Sequence, residues 1–209
     1  MSALSAFIHK QRMRWSGRRI DRAHELRRRL AFYVAKHGFE IGDYSIGEPI
    51  IRLYNASHLK IGKYSSIAAG VTFIIGGNHN IETVTTSFLD RPKGPGPAEY
   101  PYTRGDIVIG SDVWVGGNSI ILSGVTIGDG AVIGAGSVVA GDVPAYSIAL
   151  ANPARLVRKR FPDEIIDALL EVRWWDLSRE QIDGLRPLLF SRDAGKLVDE
   201  CRKIKHSAS

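Results

Sequence analysis

Aliphatic residues recur at every sixth position along the middle of the chain. From Ile109 the sequence divides into blocks of six, and the fifth residue of each block is small or β-branched. The blocks open with Ile109, Val115, Ile121, Ile127, Ile133 and Val139, and their fifth residues are Val113, Ser119, Val125, Ala131, Ser137 and Val143. A strict period of six is typical of a coil of short strands, whereas the strands of a sandwich alternate with period two. One aliphatic side chain per strand would then fill a narrow interior.

The same period begins earlier in the chain and is marked by glycines later on. Further opening positions are filled by Ile61, Ile67 and Phe73, with Ser65 and Val71 at fifth positions. Glycine occupies the second position of four later blocks, at Gly110, Gly116, Gly128 and Gly134. Glycine there lets the chain turn a tight corner. We therefore predict an all-β solenoid with helical caps, whose coil spans residues 38–152.

The period stops between residues 76 and 106. Prolines at positions 92, 95, 97 and 101 forbid a regular strand through the middle of this segment. It is therefore predicted to be a loop that leaves the coil and returns to it. Loops held by a rigid scaffold often carry function, and this one begins with Gly76-Gly77-Asn78-His79-Asn80. His79 is the leading candidate residue of this loop, either as a structural hydrogen-bonding group or as a catalytic residue.

The segments on either side of the coil have helical patterns. Residues 1–37 hold ten Lys and Arg against Asp21 and Glu25, which makes this arm +8 in a chain of net charge +6. Residues 18–36 have the spacing of an amphipathic helix. Its basic face has two interpretations. It could bind a polyanion or an anionic lipid surface, or it could be the solvated face of a helix that packs on its own domain. Residues 153–209 are predicted to cap the open end of the coil, with a helix from Asp163 to Trp174, a second near Arg179 to Leu189, and a polar tail.

Composition limits the class of protein. The chain has 209 residues, of which 44% are hydrophobic and 24% charged, so we expect one globular domain with no nucleic-acid partner beyond the basic arm. No stretch approaches the roughly 18 apolar residues of a membrane span. A lone Cys201 excludes an internal disulfide, and the first residues lack the apolar core of a secretory signal. We expect a cytoplasmic protein.

Several motifs together resemble a known family. They are Ile61-Gly62-Lys63-Tyr64-Ser65-Ser66-Ile67, Gly77-Asn78-His79, residues 105–116, residues 128–135, Asn152-Pro153-Ala154, Arg160-Phe161 and Trp174-Trp175. The chain from about residue 41 to 176 resembles the hexapeptide-repeat acyltransferases, and within them the xenobiotic and sugar acetyltransferases, which include type B chloramphenicol and streptogramin acetyltransferases. The resemblance implies a left-handed parallel β-helix with an excursion loop and N-terminal and C-terminal α-helices.

The resemblance also implies a reaction. Such enzymes transfer an acetyl group from acetyl-CoA to an acceptor hydroxyl, and His79 would remove the hydroxyl proton as the oxygen attacks, because neutral imidazole has a pKa near working pH. Backbone N–H groups would stabilise the oxyanion. A covalent acyl-enzyme is not expected, since Cys201 lies outside every motif and no Gly-x-Ser-x-Gly sequence occurs. Glu82 could orient the imidazole or be a solvated loop acid.

The resemblance further implies where the ligands would bind. Acetyl-CoA would lie between two subunits of a homotrimer, beside Trp114, Gly116, Ala135, Ser137 and Asn152, with Arg160 at its phosphate end; no metal is expected. Tyr44, between Asp43 and Ser45, would touch the acceptor together with Asn78 and Asn80.

The identity of the acceptor divides the hypotheses. Antibiotic-modifying members continue after the histidine with a longer loop and Tyr-Pro-Phe, where this chain has Thr85-Thr86-Ser87-Phe88. We therefore expect a sugar hydroxyl of a surface polysaccharide, with chloramphenicol or a streptogramin as the alternative acceptor and a non-catalytic scaffold as a second alternative. A zinc carbonic anhydrase with the same coil is excluded, because Ile107 to Leu150 contains neither His nor Cys.

Overall fold

The computed structural model describes residues 22–54, 57–87 and 102–207. Residues 1–21, which hold most of the predicted basic arm, and residues 88–101 of the predicted loop lie outside this range. No helix in the described part of the chain combines the length and the apolar character that crossing a bilayer requires.

Short strands, parallel to their neighbours except for the last one, form three sheets that the chain visits in turn. Sheet A contains β1 (Glu40–Ile41), β4 (Leu59–Ile61), β7 (Ile107–Ile109) and β10 (Thr126–Ile127). Sheet B contains β2 (Ile46–Gly47), β5 (Ser66–Ile67), β8 (Trp114–Val115), β11 (Val132–Ile133), β13 (Ser147–Leu150) and β14 (Arg155–Lys159). Sheet C contains β3 (Ile50–Leu53), β6 (Thr72–Ile75), β9 (Ile120–Leu122) and β12 (Val138–Val139). Three consecutive strands therefore make one turn of a coil, as the period predicts.

The interior of the coil consists of the residues that the six-residue period selects. Ile109, Val115, Ile121, Ile127, Ile133 and Val139 are each at most 1% exposed. Each stacks on its equivalent one turn away, for example Ile67 on Val115 and Val115 on Ile133. Burial of each such side chain stabilises the fold by about 1.5 to 3 kcal/mol relative to exposure. The predicted core is confirmed.

The corner between sheets A and B, here the AB corner, repeats one backbone conformation. It comprises residues 42–45, 62–65, 110–113, 128–131 and 144–146. The third residue of each turn has a positive φ; these residues are Tyr44, Tyr64, Asp112, Gly130 and Tyr146, with φ from 51° to 68°. Serine hydroxyls join successive turns: Ser65 Oγ donates to Gly110 O at 2.8 Å and accepts from Val113 N at 3.1 Å. The turns therefore stack in register.

The other two corners are defined in the same way. The BC corner comprises residues 48–49, 68–71, 116–119, 134–137 and, after β13, 151–154. The CA corner comprises the described residues between β3 and β4, residues 123–125, residues 140–143 and the start and end of the excursion loop. The three corners place different groups of predicted site residues on different edges of the coil.

The N-terminal helical region packs onto the first turn of the coil. It consists of a 3-10 turn (Arg22–His24), α1 (Glu25–Arg29) and α2 (Ala31–His37), which ends at Gly38 with φ 68°. Leu26 and Leu30 are buried in the same cluster as the coil interior. The predicted helix over 18–36 is therefore interrupted at Leu30, and its first residues lie outside the described range.

The basic side chains of this region contact carboxylates of the same domain. Arg27 Nη2 lies 2.9 Å from Asp43 Oδ1, and Arg29 Nη2 lies 2.8 Å from Glu48 Oε1. For residues 22–37 these contacts fit a helix packed on its own domain better than a polyanion surface.

The C-terminal region lies along the AB corner and not across the end of the coil. After β14 returns antiparallel to β13, the chain forms α3 (Asp163–Val172), a 3-10 turn (Trp174–Asp176), α4 (Arg179–Leu189) and α5 (Ala194–Ser207). Trp174 packs on Tyr64 at 5.1 Å between ring centroids. The expected end cap is therefore wrong in position, because the corner tyrosines offer the helices an aromatic surface. The expected polar tail is helical, since residues 194–207 form α5.

Candidate active site

His79 lies where the excursion loop leaves the CA corner. After β6, Gly76 and Gly77 adopt φ of 79° and 80°, which turns the chain away from sheet C. Asn78 and Tyr102 then exchange backbone hydrogen bonds of 2.9 and 3.0 Å, which join the two ends of the loop. The Asn78 side chain donates to Tyr102 O at 3.2 Å and to Ser123 Oγ at 3.1 Å. Asn78 was predicted to touch the acceptor. Its hydrogen bonds instead hold together the two ends of the loop next to His79.

The imidazole of His79 has a defined tautomer. Its Nδ1 lies 2.6 Å from the carbonyl oxygen of Thr86, and a carbonyl can only accept a hydrogen bond. Nδ1 therefore carries the hydrogen, and Nε2 is the nitrogen that can accept a proton in the neutral ring. The orienting group is a backbone carbonyl and not the carboxylate of Glu82.

The segment that supplies this carbonyl is organised by its own polar side chains. Asn80 Oδ1 accepts from Glu82 N at 2.9 Å. Thr83 Oγ1 lies 3.2 Å from Asn80 O and 2.8 Å from Thr85 O. Ser87 N donates to Thr85 Oγ1 at 3.1 Å. The Asn80 side chain, predicted to bind the acceptor, thus accepts a hydrogen bond within the loop. Thr83 contacts the backbone carbonyls at both ends of the turn that precedes Thr86.

Four residues predicted at the acetyl-CoA site share the BC corner. Gly116 and Ala135 are stacked so closely that a Cβ at position 116 would lie 2.5 Å from Ala135 N. Ser137 is fully buried, and its hydroxyl donates to Gly134 O at 2.6 Å, so its side chain supports the corner and does not face a ligand. The turn that contains Asn152 is seated on the preceding coil by Ala154 N, which donates to Val138 O at 2.8 Å.

Trp114 is a large side chain exposed on the outer face of sheet B. It is 56% exposed and lies between Ser66 and Val132 in the sheet. An exposed indole is costly to leave in water and is typical of a contact surface. It adjoins the BC corner through Val115, which precedes Gly116.

Arg160 and Tyr44 lie at the AB corner, away from the other predicted site residues. Arg160 Nη1 donates to Gly130 O at 2.6 Å and lies 3.4 Å from Asp112 Oδ2. Its guanidinium also lies 5.3 Å from the ring centroid of Tyr146. Tyr44 stacks on Tyr64 with 4.8 Å between ring centroids. The structure therefore does not bring Arg160 to the BC corner, nor Tyr44 to His79, within one chain.

Asp112 is a partly buried acidic residue at the AB corner that was not among the predicted site residues. Burial raises the pKa of Asp112, and the neighbouring Arg160 opposes the rise. The pair forms because β14 returns along β13 and delivers Arg160 to the corner. No sequence period marks β14, so the pairing had no signal in the sequence.

Within the described ranges, no group of three His, Cys, Asp or Glu side chains is placed to hold a metal ion. The described arrangement can thus supply a proton acceptor at His79, backbone groups at the BC corner and an exposed indole. His79 and the BC corner lie at opposite ends of the strands of sheet C.

Comparisons with known proteins agree on one kind of enzyme. Residues 106–141 match the family described as bacterial transferase hexapeptide, six repeats. A chloramphenicol acetyltransferase of Agrobacterium fabrum is 42% identical over 148 residues, which are 68% of this chain and 71% of that protein. A protein named probable macrolide acetyltransferase, from Lysinibacillus sphaericus, is 42% identical over 153 residues, which are 69% of this chain and 84% of that protein.

One solved structure to which the chain is similar carries the same repeat in its description. A hexapeptide-repeat-containing acetyltransferase from Vibrio cholerae, solved with acetyl coenzyme A, is 27% identical with a TM-score of 0.48. The match covers 59% of this chain and 61% of that one, so the chain spans about three fifths of the length of that structure.

Proposed function

Since the chain belongs to the hexapeptide-repeat acyltransferases, we propose that it transfers an acetyl group from acetyl-CoA to a hydroxyl of a small antibiotic acceptor, with His79 as the general base. The observation that carries the proposal is the hydrogen bond from His79 Nδ1 to Thr86 O. It leaves Nε2 as the proton-accepting nitrogen, which a general base requires.

The named relatives change our expectation about the acceptor. The absence of Tyr-Pro-Phe after the histidine favours a sugar acceptor. The relatives with 42% identity are named for chloramphenicol and for a macrolide, both of which are antibiotics. We therefore prefer the alternative acceptor, an antibiotic hydroxyl, over a polysaccharide sugar.

The proposed reaction is a direct transfer. The acceptor hydroxyl loses its proton to His79 Nε2 as its oxygen forms a bond to the thioester carbonyl carbon. The tetrahedral oxyanion then collapses, the carbon–sulfur bond breaks, and the imidazolium returns the proton to the departing thiolate sulfur. General base catalysis of this kind contributes about 10²- to 10⁴-fold to the rate.

The BC corner is the proposed binding site of acetyl-CoA. Ala135 and Gly136 are exposed there, and a Cβ added at Gly136 would meet no atom within 4 Å. Backbone groups beside Gly116 and Ala135 can therefore be approached by a chain-like amide such as the pantetheine arm of acetyl-CoA. Trp114 would cover one side of the donor, and Asn152 would lie at the last turn.

A complete site requires a second chain in this proposal. His79 stands at the CA corner and the donor residues at the BC corner, so one chain does not bring them together. We infer a homotrimer of left-handed coils, in which the CA corner of one chain faces the BC corner of the next.

The outer faces of the coil support this assembly. Outward positions of sheet A are largely polar: Glu40, Lys60, Val108 and Thr126. Outward positions of sheet B are Ile46, Ser66, Trp114, Val132 and Ile148, and those of sheet C include Ile50, Thr72, Ile120 and Val138. The two faces that flank the BC corner are thus the apolar ones, as a buried interface between chains requires.

An acceptor panel tests the proposal. The protein is incubated with acetyl-CoA and, separately, chloramphenicol, a macrolide, maltose or no acceptor, and both thiol release and the acetylated product are measured. Acetylated chloramphenicol or macrolide supports the proposal. Acetylation of maltose alone would contradict the proposed antibiotic acceptor. Absence of acceptor-dependent thiol release with every compound would contradict the proposed acetyltransferase activity.

A further inference from the structure

A large cavity lies between the AB corner and helices α3 to α5. Its volume is about 990 Å³, and neither His79 nor the predicted donor residues of the BC corner line it. Its walls are mostly apolar and include Leu169, Ile182 and Leu197, each less than 9% exposed. A cavity of this size and polarity is typical of a site for a small molecule.

The inner end of the cavity carries no net charge. Asp112 and Arg160 both line it and pair with each other, with 3.4 Å between Oδ2 and Nη1. Tyr146 also lines it and is 2% exposed. This end of the cavity therefore offers a ligand no unpaired charge.

The outer end of the cavity carries excess positive charge. Arg179 and Arg186 line it and share one carboxylate: Arg179 Nη2 and Arg186 Nε lie 3.0 and 2.9 Å from Asp183 Oδ1. Arg192 also lines the cavity, and no ion pair is found for it in the described part of the chain. Phe190, beside this rim, is 88% exposed. Three guanidinium groups against one carboxylate favour an anionic group at the rim.

We propose that this cavity binds an amphipathic organic anion: an apolar chain that lies among the helices, with a carboxylate or phosphate group at Arg179, Arg186 and Arg192. Guanidinium groups bind both acid groups through paired hydrogen bonds, and the apolar walls exclude water from the chain. Tyr44 and Arg160, which the family resemblance assigns to the acetyl-transfer site, line this cavity, but His79 and the donor residues of the BC corner do not. The inference therefore does not depend on the proposed function.

Four probes with the same ten-carbon chain separate the contributions of chain and charge. The full-length protein is titrated calorimetrically with decanoate, decyl phosphate, decanol and decyltrimethylammonium, each below its micelle-forming concentration. We expect saturable binding of at least one of the two anions, at least about tenfold weaker binding of decanol, and no binding of the cation. The tighter anion identifies the acid group. Equal binding of decanol and both anions, or no saturable anion binding, would overturn the proposal.

Matched variants locate the site. Arg192→Gln should raise the Kd of the tighter anion about fivefold and leave decanol unchanged, because one cation of the rim is lost. Arg202→Gln is the control, since that arginine pairs with Glu171 at 2.6 Å and does not line the cavity. Equal weakening by the two variants would contradict a specific rim.

Two further variants test the apolar part and the independence from catalysis. Leu188→Trp should fill part of the cavity and abolish anion binding, with circular dichroism used to verify that the helices remain folded. His79→Asn should bind the anion with unchanged Kd, so a failure of the proposed acetyl transfer would leave this result intact. Unchanged anion binding in a folded Leu188→Trp variant would place the ligand elsewhere and overturn the proposal.

Discussion

The Nδ1 atom of His79 lies 2.6 Å from the carbonyl oxygen of Thr86, seven residues further along the same loop. This hydrogen bond assigns the proton of the neutral ring to Nδ1 and the accepting lone pair to Nε2. The orientation of the imidazole therefore depends on how firmly the intervening segment holds the Thr86 carbonyl. Thr83 lies at the centre of that segment, with its hydroxyl between the carbonyl groups of Asn80 and Thr85.

Replacement of Thr83 by valine should slow acetyl transfer without weakening donor binding. Valine keeps the shape and removes the hydroxyl, so the turn that carries Thr86 loses its hydrogen bond, worth about 1 kcal/mol. We expect kcat to fall about fivefold while the KM for acetyl-CoA is unchanged, as measured by thiol release with a working acceptor. Thr83→Ser should restore most of the rate, because it restores the hydroxyl. A valine variant with wild-type kcat would contradict the positioning role.

Ser65 should be more important for stability than its neighbour Ser66. The Ser65 hydroxyl is buried between two turns of the AB corner and bonds both Gly110 O and Val113 N. Ser65→Ala leaves both groups without this partner, and we expect a loss of about 1 to 3 kcal/mol in the free energy of unfolding, measured by urea denaturation. Ser66→Ala is the matched control on the outer face of sheet B and should cost less than about 0.5 kcal/mol. Equal losses of unfolding free energy in the two variants would contradict the proposed role of the Ser65 hydroxyl.

The ion pairs of Asp176 should make a small, pH-dependent contribution to stability. Burial alone would raise the pKa of Asp176, but hydrogen bonds from Lys63 and Arg173 outweigh it and lower the pKa below its ordinary value. A lowered carboxyl pKa contributes stability above the unfolded-state pKa of about 3.9, and this contribution is lost as the pH falls through the folded-state value. The side chains of Lys63 and Asp176 are about 40% exposed, so the contribution should stay below about 1 kcal/mol.

Denaturation of Asp176→Asn and wild type across a pH series measures this contribution. The difference in unfolding free energy should be constant from about pH 5 to 7 and shrink below about pH 4. A double-mutant cycle with Lys63→Met separates the ion pair from other effects of the substitutions. A difference that grows as the pH falls would have the wrong sign for this account.

The apolar outer face of sheet C should be needed for assembly. Ile50→Asp places a charge on that face at a side chain that is 43% exposed in the single chain, so the monomer should tolerate it. Light scattering should then give a mass near one chain of 23.0 kDa in place of about three chains. Val108→Asp, at an outward position of sheet A, is the control and should leave the mass unchanged. Loss of assembly in both variants would mean that sheet A also takes part in the interface.

The coil and its interior were predictable because one packing rule repeats in every turn. A position such as Ile121 faces the interior for the same geometric reason as Ile127, so a single chain displays the rule many times. The loop was predictable because prolines interrupt that rule. The choice of His79 as a candidate catalytic residue rested on its position at the start of the loop and on the family resemblance.

Features that rest on contacts without a period were not predictable. Strand β14 (Arg155–Lys159) is exposed along its whole length and is a strand only because it pairs with β13. Its path decides that Arg160 reaches Asp112 and not the BC corner. Helix α5 has three buried residues among many charged ones, and its contacts with α3 and α4 outweigh a weak apolar pattern. The partner of His79 is a backbone carbonyl, which any residue type at position 86 would supply.

The most direct test of the account compares His79→Asn with Glu82→Gln in a single-turnover assay of acetyl transfer from acetyl-CoA to the acceptor identified by the panel. Asparagine can keep a hydrogen bond to the Thr86 carbonyl but cannot take up a proton. We expect His79→Asn to slow the transfer by about 10²- to 10⁴-fold with calorimetric acetyl-CoA affinity unchanged, and Glu82→Gln to stay within about twofold of wild type. A His79→Asn variant that transfers acetyl groups at the wild-type rate would contradict the account.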